Sequence, residues 1–396
     1  MRAKWFVAIL CAALALFLAS CRAGPLIYDV QIRPDVISPN ADGVDDVAAV
    51  SYKIGSNANI SIYLIDAQGN KHYFRRDGRR SHGSYTALFS GVIDGRMLPD
   101  GTYTMVLEAT NESGRTEKIE KSITLVDADT NYIEIRNLNI YPSSFTPNRD
   151  GIKDRVTIAY YLNKEATIVR VYLLGPDGEK YPIPDDKIRP MGAPGNHEHD
   201  YEGGVDLGAA PPPDGTYTVV VEAEDAVGNR DQKTGQLTIE VGGVPMAEIV
   251  NRAVQWSGDS YALGQTLTFT CTVRNIGKVP IRTQGPESGY TYTNAETYGS
   301  CGYYTDPGVF RVGLDMEDNS IGREYPWRWQ LGKDSELTVI DGHKYLMPGQ
   351  TVQVVGHLTF VDKTPRTAPY FWVGLIHEEV RKVDDRVDPK QVTIDF

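Results

Sequence analysis

Apolar and polar residues alternate with a period of two over much of the chain that follows the first thirty residues. The alternation is clear in "VAAVSYKI" (47–54), "ISIYLI" (60–65) and "TYTMVLEA" (102–109). This pattern is typical of strands with one buried face. Turn-forming sequences separate the apolar runs, among them Pro99-Asp100-Gly101 and Pro176-Asp177-Gly178. Short strands with turns between them predict β-sandwich domains without helices.

Much of the first third of the chain recurs in the second third. "SPNADGVDDVAAVSYKI" matches "TPNRDGIKDRVTIAYYL", and "LPDGTYTMVLEATNESGR" matches "PPDGTYTVVVEAEDAVGN". Asn148 follows Asn40 by 108 positions, whereas Asp214 follows Asp100 by 114. The second copy therefore carries about six extra residues, which we place near 182–199. The histidines of "HEHD" (197–200) fall there and are expected on an exposed loop rather than as metal ligands.

The paired motifs "SPN.DG..D" and "LPDGTYT" resemble the immunoglobulin-like domain of the flagellar hook-capping protein FlgD. The resemblance covers residues 28–127 and 132–241, and it implies two immunoglobulin-like modules of a type reused in bacterial exported proteins. It does not imply a flagellar role, because function depends on sites and context rather than on fold. The FlgD pattern has Gly after the Asn, where this chain has Ala41 and Arg149. We therefore expect a backbone geometry at this position that does not require glycine.

The last third has a different texture from residue 245 onward. "ALGQTLTFTCTVRNIGKVPI" (262–281) predicts two strands around an Asn-Ile-Gly turn and resembles bacterial adhesion-type sandwich modules. "MPGQTVQVVGHLTF" (347–360) and "PYFWVGLIHEEV" (369–380) predict further strands. The predicted fold is all-β, with three consecutive β-sandwich domains at 28–128, 129–242 and 245–396.

The N-terminus predicts export and lipid anchoring. Arg2 and Lys4 precede an apolar run, which is the arrangement of a secretory signal peptide. Leu18-Ala19-Ser20-Cys21 resembles the bacterial lipobox, which implies cleavage after residue 20 and acylation of Cys21. Residues 21–27 would then be a short tether, and the protein would be anchored to a membrane and face the periplasm or the exterior. The alternative is an ordinary secreted protein.

Composition narrows the classes of function. The chain has 396 residues, enough for about three domains of ordinary size. Its net charge of −12 argues against binding to nucleic acid. If Cys21 is acylated and Cys11 leaves with the signal peptide, two cysteines remain. An even pair in an exported chain predicts a disulfide between Cys271 and Cys301, with two separate buried thiols as the alternative.

The repeated Asn/Asp loop is the first candidate site. Carboxylate and amide oxygens at alternating positions, with a glycine for the sharp turn, are typical of calcium ligands. The same side chains also cap backbone amides two residues further along in ordinary turns. We favour the turn and keep calcium open. A catalytic role is disfavoured, because the same residues recur in both copies of the module. The candidate residues are Asn40, Asp42, Asp46, Asn148, Asp150 and Asp154.

The second candidate site is an aromatic-rich section, residues 285–334, in the last domain. A section of this length with no evident strands is usually functional or has structure of its own. Tyr325, Trp327 and Trp329 could stack on sugar rings or fill a partner's pocket. The alternative, slightly preferred, is that they pack against the edge of the sandwich.

These features predict a non-catalytic surface lipoprotein. The two modules would act as a spacer, and the last domain would present an interaction surface to a protein or polysaccharide partner. A carbohydrate-binding protein that uses the C-terminal aromatics is the first alternative. An exported hydrolase with a site of unrecognised type is the second.

Overall fold

The computed structural model describes residues 24–184 and 189–395. These residues confirm the all-β fold: they form strands, apart from turns and two short 3-10 segments at Val205–Leu207 and Asp334–Glu336. The predicted signal peptide and Cys21 lie outside the described residues. Within them, no helix has the length and apolar character needed to cross a membrane.

The first repeat, module 1 (residues 28–128), packs two sheets face to face. One sheet has the order β1-β3-β6, and the other has the order β2-β10-β9-β4-β5. The strands are β1 Ile27–Arg33, β2 Val36–Ile37, β3 Ala48–Ile54, β4 Ala58–Ile65, β5 Lys71–Arg80, β6 Gly83–Phe89, β7 Val92–Ile93, β8 Arg96–Met97, β9 Gly101–Asn111 and β10 Thr116–Leu125. Leu26 and Ile27, expected in the tether, are buried in its core.

The second repeat, module 2 (residues 129–242), has the same topology, with sheets β11-β13-β16 and β12-β18-β17-β14-β15. Its strands are β11 Ile135–Tyr141, β12 Ser144–Phe145, β13 Val156–Leu162, β14 Ile168–Leu174, β15 Lys180–Pro182, β16 Gly195–Tyr201, β17 Gly215–Glu224 and β18 Arg230–Ile239. The prediction of an exposed histidine loop is wrong. His197 and His199 lie on β16 and are buried, because both rings stack on Tyr160.

The C-terminal domain (residues 245–396) is a larger sandwich of a different topology. Its main sheets are β19-β21-β28-β23 and β26-β27-β22-β24-β29-β30, with β25 paired to β24. The strands are β19 Ala247–Trp256, β20 Ser260–Ala262, β21 Thr266–Asn275, β22 Ile281–Thr283, β23 Thr291–Thr293, β24 Phe310–Met316, β25 Trp327–Gln330, β26 Thr338–Ile340, β27 His343–Leu346, β28 Thr351–Thr359, β29 Tyr370–His377, β30 Arg381–Gln391 and β31 Thr393–Asp395.

Each sandwich has its own hydrophobic core, built by the inward side of the alternating pattern. In β3 the buried positions are Ala48, Val50, Tyr52 and Ile54, and the residues between them are partly or fully exposed. β13 repeats this pattern from Val156 to Leu162. Strands of the C-terminal domain such as β24 are buried at every position, because neighbouring segments cover both faces.

Module 2 contacts its two neighbours at opposite ends. β17 and β18 pair along ten residues, from Gly215 opposite Ile239 to Glu224 opposite Arg230. The turn at 225–229 contacts module 1, and the loop at 146–154 beside the other end contacts the C-terminal domain. The three sandwiches therefore follow one another end to end.

Candidate functional site

The first Asn/Asp loop is a turn closed by its own side chains. Asp46 Oδ1 accepts hydrogen bonds from the amides of Asn40 (3.1 Å) and Ala41 (2.8 Å), and Oδ2 accepts from Gly43 (2.8 Å). Asn40 Oδ1 accepts from the amide of Asp42, at 3.0 Å. The predicted residues lie close together here, and their side-chain oxygens accept hydrogen bonds from backbone amides of the loop.

The second loop repeats these bonds at the equivalent positions. Asp154 Oδ1 accepts from the amide of Asn148 (3.2 Å), and Oδ2 accepts from Gly151 (2.6 Å). Asn148 Oδ1 and Asp150 Oδ1 accept from amides two residues further along. Among the described residues, no group of three or more acidic, histidine or cysteine side chains has the arrangement of a metal site. Calcium binding at these loops stays a prediction.

The residue after the Asn has a left-handed backbone, which glycine adopts most easily but which, as expected, does not require glycine. Ala41 has φ 65° and Arg149 has φ 56°, both in the left-handed region. This conformation costs an ordinary residue about 1–2 kcal/mol. The carboxylate of the Asp that ends each loop accepts hydrogen bonds from nearby amides and holds the backbone in this conformation.

The two copies differ in what surrounds them. Asn40 and Asp42 are exposed and Asp46 is half-buried, whereas Asn148 and Asp150 are buried against the C-terminal domain. The Tyr345 hydroxyl donates to Asp150 Oδ2 at 3.0 Å. The second loop has therefore become part of a domain junction.

Two further contacts close this junction. His377 Nε2 lies 2.8 Å from the carbonyl oxygen of Arg149, a distance at which the ring nitrogen donates to it. Gly151 faces Pro307 and Gly308 so closely that a Cβ atom on Gly151 would lie 2.2 Å from the Pro307 oxygen. A cavity of about 320 Å³ lies beside these contacts, and Asn148 is among the residues that line it.

Burial changes the acidity of the equivalent carboxyl groups. Burial raises the pKa of Asp154 to about 6, and the neighbouring Asp150 carboxylate adds to this against the opposing backbone hydrogen bonds. For Asp46, slight desolvation raises the pKa, but the hydrogen bonds from Gly43 and its neighbours outweigh it, so the pKa is lowered. Burial lowers the pKa of His377 to about 4, so this histidine is neutral at pH 7.

A matched pair of substitutions tests the junction. Gly43 and Gly151 have φ of 88° and 83°, so alanine strains both backbones to a similar degree, by about 1 kcal/mol. A Cβ atom on Gly43 meets nothing within 4 Å, whereas one on Gly151 meets the C-terminal domain. We expect Gly151→Ala to lower the free energy of unfolding more than Gly43→Ala. It should also speed proteolysis at residues 240–246. Equal effects of the two variants would contradict the junction.

A buried asparagine joins module 1 to module 2. Asn229 Oδ1 accepts from the amide of Met97 at 2.6 Å, and Nδ2 donates to Asp225 Oδ2 and to the carbonyl oxygen of Asp129. Lys164 forms ion pairs with both Asp129 and Asp225. Since every polar atom of the Asn229 side chain has a partner, this junction is specific in geometry.

The aromatic candidates do not form a binding surface. Trp327 and Trp329 are fully buried, and Tyr325 is 2% exposed. The indole N–H groups of the two tryptophans donate to the carbonyl oxygens of Glu296 and Tyr290. The proposed stacking on a ligand is wrong for these three residues, because β25 places the two tryptophans in the sandwich core and Tyr325 packs in a separate cluster with Trp372 and Ile376.

The predicted disulfide is also wrong in this structure. Cys271 and Cys301 are both free thiols. Cys271 faces the core from β21, and burial raises its pKa to about 12. Cys301 packs against the same core from a loop and hydrogen-bonds Tyr290.

Sequence reasoning missed a buried ionic cluster in the C-terminal domain. Glu378 is 1% exposed, and its Oε1 accepts from Arg311 (2.8 Å) and Arg328 (2.7 Å). Its Oε2 accepts from the amide of Asp306 at 2.8 Å. Charged residues inside the apolar strand "FRVGLDM" and at the end of the apolar run "FWVGLIHE" are the signal that could have revealed it.

Comparison with known proteins gives little beyond these observations. No family model and no curated protein matches the chain. The chain is similar to the fibronectin(III)-like modules of CbhA from Clostridium thermocellum (13% identity, 53% of this chain and 92% of that chain, TM-score 0.21). It is also similar to a calcium-stabilised adhesin with which an Antarctic bacterium binds ice (13%, 93% and 90%, TM-score 0.22). A tetra-tandem repeat in the extending region of a large adhesion protein is a third (13%, 90% and 89%, TM-score 0.19). At these TM-scores the similarities carry no argument about function.

Proposed function

We propose that this protein is a membrane-anchored lipoprotein of the cell envelope without catalytic turnover. Modules 1 and 2 are FlgD-type spacers, and the C-terminal domain is the end that meets a partner. The observation that carries this proposal is that module 2 contacts its neighbours at opposite ends of the β17–β18 hairpin. Two modules joined in this way hold the third domain at a distance from the tether.

The strand lengths indicate the spacing. β17 and β18 have ten residues each, and antiparallel strands rise about 3.4 Å per residue. Each module therefore contributes about 30 Å along its strands. The two polar junctions limit rotation between the units, because a rotation would leave buried groups such as the Met97 amide without partners.

Three of the groups with strongly shifted pKa values support a structural role. Asp154, His377 and Tyr345 all lie in or beside the junction of module 2 with the C-terminal domain, and each is hydrogen-bonded there. Their shifts follow from burial between two domains. Catalysis is not needed to account for them.

A carbohydrate partner remains the second candidate, on a different residue from those first considered. Tyr304 lies in the aromatic-rich section and is 76% exposed. An exposed tyrosine ring can stack on a sugar. Glycan retention that falls in Tyr304→Ala and persists in Tyr370→Ala, another exposed tyrosine, would favour this candidate.

Acylation of Cys21 gives the direct test of anchoring. We expect the wild-type protein to incorporate labelled palmitate and to sediment with membranes, because several buried acyl chains hold a protein stably on a bilayer. Cys21→Ser should lose the label. Cys301→Ser is the control and should keep it, because its thiol lies within a folded domain. An unlabelled wild-type protein would contradict the proposal.

A further inference from the structure

One short stretch of module 1 is strongly basic, although the chain as a whole has a net charge of −12. "KHYFRRDGRRSH" (71–82) holds one lysine, four arginines and two histidines against a single aspartate. It forms β5 and the turn that leads into β6. β5 pairs with β4 in one sheet and β6 pairs with β3 in the other, and both are edge strands. The segment, called the β5–β6 connection below, therefore passes from one sheet to the other along one side of the sandwich.

The arginines of the β5–β6 connection surround a cleft of about 410 Å³. Three guanidinium groups and several hydroxyl groups face it, and none of its lining residues carries a carboxylate. The lining residues are Tyr52, Arg75, Arg79, Arg80, Ser81, Tyr85 and Thr86. Arginine binds phosphate through paired N–H donors, and hydroxyl groups can add further hydrogen bonds to its oxygens.

The charges of this cleft are weakly neutralised by the protein itself. Arg75 and Arg80 lie over the rings of Phe74 and Tyr85, at 5.5 and 5.6 Å, and within the described residues neither forms an ion pair with a carboxylate. Arg79 pairs with Glu112 at 3.0 Å, but both side chains are more than three-quarters exposed. Such an exposed pair is weak and exchanges readily for another anion.

The cleft lies at the end of module 1 from which the N-terminal segment leaves. Ile27 pairs with Ile54, and Ile54 pairs with Gly83 on the far side of β3. The start of β1 and the start of β6, where the β5–β6 connection ends, are therefore two strand spacings apart, about 10 Å. Cys21 precedes Gly24 by three residues, which span about 10 Å at most. An acyl group on Cys21 would thus bring this end of module 1 close to the bilayer.

We propose that the cleft at the β5–β6 connection binds the phosphate headgroups of anionic phospholipids in the membrane that holds the protein. This inference rests on the proposed lipid anchoring. Basic side chains within about 10 Å of an anionic bilayer are attracted to it, since screening at physiological salt acts over that length. Headgroup binding would fix how the spacer stands on the membrane, a restraint that one flexible tether does not give.

The second repeat shows what happens to this end when no membrane faces it. In module 2, β15 has three residues where β5 has ten. The hairpin turn at the same end of module 2 carries Asn229, which binds module 1. The basic β5–β6 connection therefore occurs in module 1, the repeat whose end lies beside the tether.

The test uses the chain from Arg22 to Phe396, which lacks an acyl chain and contains every described residue. Its sedimentation with vesicles of phosphatidylglycerol mixed with phosphatidylcholine is compared with vesicles of phosphatidylcholine alone. We expect binding to the anionic vesicles only, and a decline with added salt. The combined variant Arg75→Gln, Arg79→Gln and Arg80→Gln should bind at least about tenfold more weakly than the wild type.

A control variant that loses the same number of positive charges elsewhere distinguishes binding at this cleft from a general effect of net charge. Arg170→Gln, Lys233→Gln and Arg366→Gln remove three exposed cations from module 2 and the C-terminal domain. This control should keep wild-type binding, and both variants should keep the wild-type melting temperature. The proposal would be overturned by equal weakening in both variants or by unchanged binding in the Arg75, Arg79 and Arg80 variant. It would also be overturned if the protein bound inorganic phosphate but no vesicles. Palmitate labelling of Cys21 reports on anchoring separately, so either idea can fail alone.

Discussion

Replacing Glu378 by glutamine is expected to lower the free energy of unfolding of the C-terminal domain by about 3–5 kcal/mol. The carboxylate lies between Arg311 and Arg328, and the Glu378 and Arg311 side chains are almost completely buried. Glutamine has nearly the same shape but no charge, so Arg311 would stay buried without its counter-charge. The loss of a partner from a buried ion pair costs far more than the loss of a surface pair.

The neighbouring residue provides the control for this prediction. Glu379 is exposed, and Glu379→Gln should change the free energy of unfolding by no more than about 0.5 kcal/mol. Denaturant unfolding followed by tryptophan fluorescence reports on this domain, because Trp327 and Trp329 lie in its core. Equal stability of the two variants would mean that water reaches Glu378 and that the cluster contributes little.

The sequence predicted the fold of the modules well, because their strands have one buried face. In β3 and β13 the period-two pattern matches the buried positions of the structure. The repeated turns also fix the connections, since Asp46 and Asp154 form the same bonds in both copies. Local patterns of this kind depend on neighbouring residues, which a sequence shows directly.

The contacts between distant segments could not be predicted in the same way. Nothing in "TPNRDGIKD" indicates that Asp150 meets Tyr345, because the two are 195 residues apart. Likewise the basic residues of β5 are visible in the sequence, but the strand register places them near Ile27. The histidines of β16 were misassigned for the same reason, since Tyr160 buries them from another strand.

The sequence left two interpretations of the aromatic-rich section open, because buried and exposed aromatics look alike in sequence. Packing against the sandwich was slightly preferred to stacking on a ligand. In the structure β25 pairs with β24, so Trp327 and Trp329 point into the sandwich while Arg328 lies between them on the other face. Arg328 then reaches Glu378, so its charge is also used inside the domain.

Trp329→Ala is therefore expected to destabilise the C-terminal domain rather than to remove a ligand contact. The indole packs edge to face against Phe269 and Tyr292, with both ring centroids 5.1 Å away. Truncation of a buried tryptophan costs about 3–5 kcal/mol, through lost contacts and the cavity that remains. The Tyr290 carbonyl oxygen also loses its donor. Thermal unfolding of the full chain should show a lower transition for this domain, with the transitions of modules 1 and 2 unchanged.

Tyr304→Ala is the matched surface variant for this prediction. Tyr304 lies in the same aromatic-rich section and is largely exposed, so its removal should leave the melting temperature of the domain nearly unchanged. The two variants thus separate the packing role of the section from any binding role. Wild-type melting of Trp329→Ala together with loss of glycan retention would return Trp329 to the surface and contradict the packing role. If Tyr304→Ala alone reduced glycan retention, the partner would contact the exposed loop of the section. The buried tryptophans would then support that loop from the core of the domain.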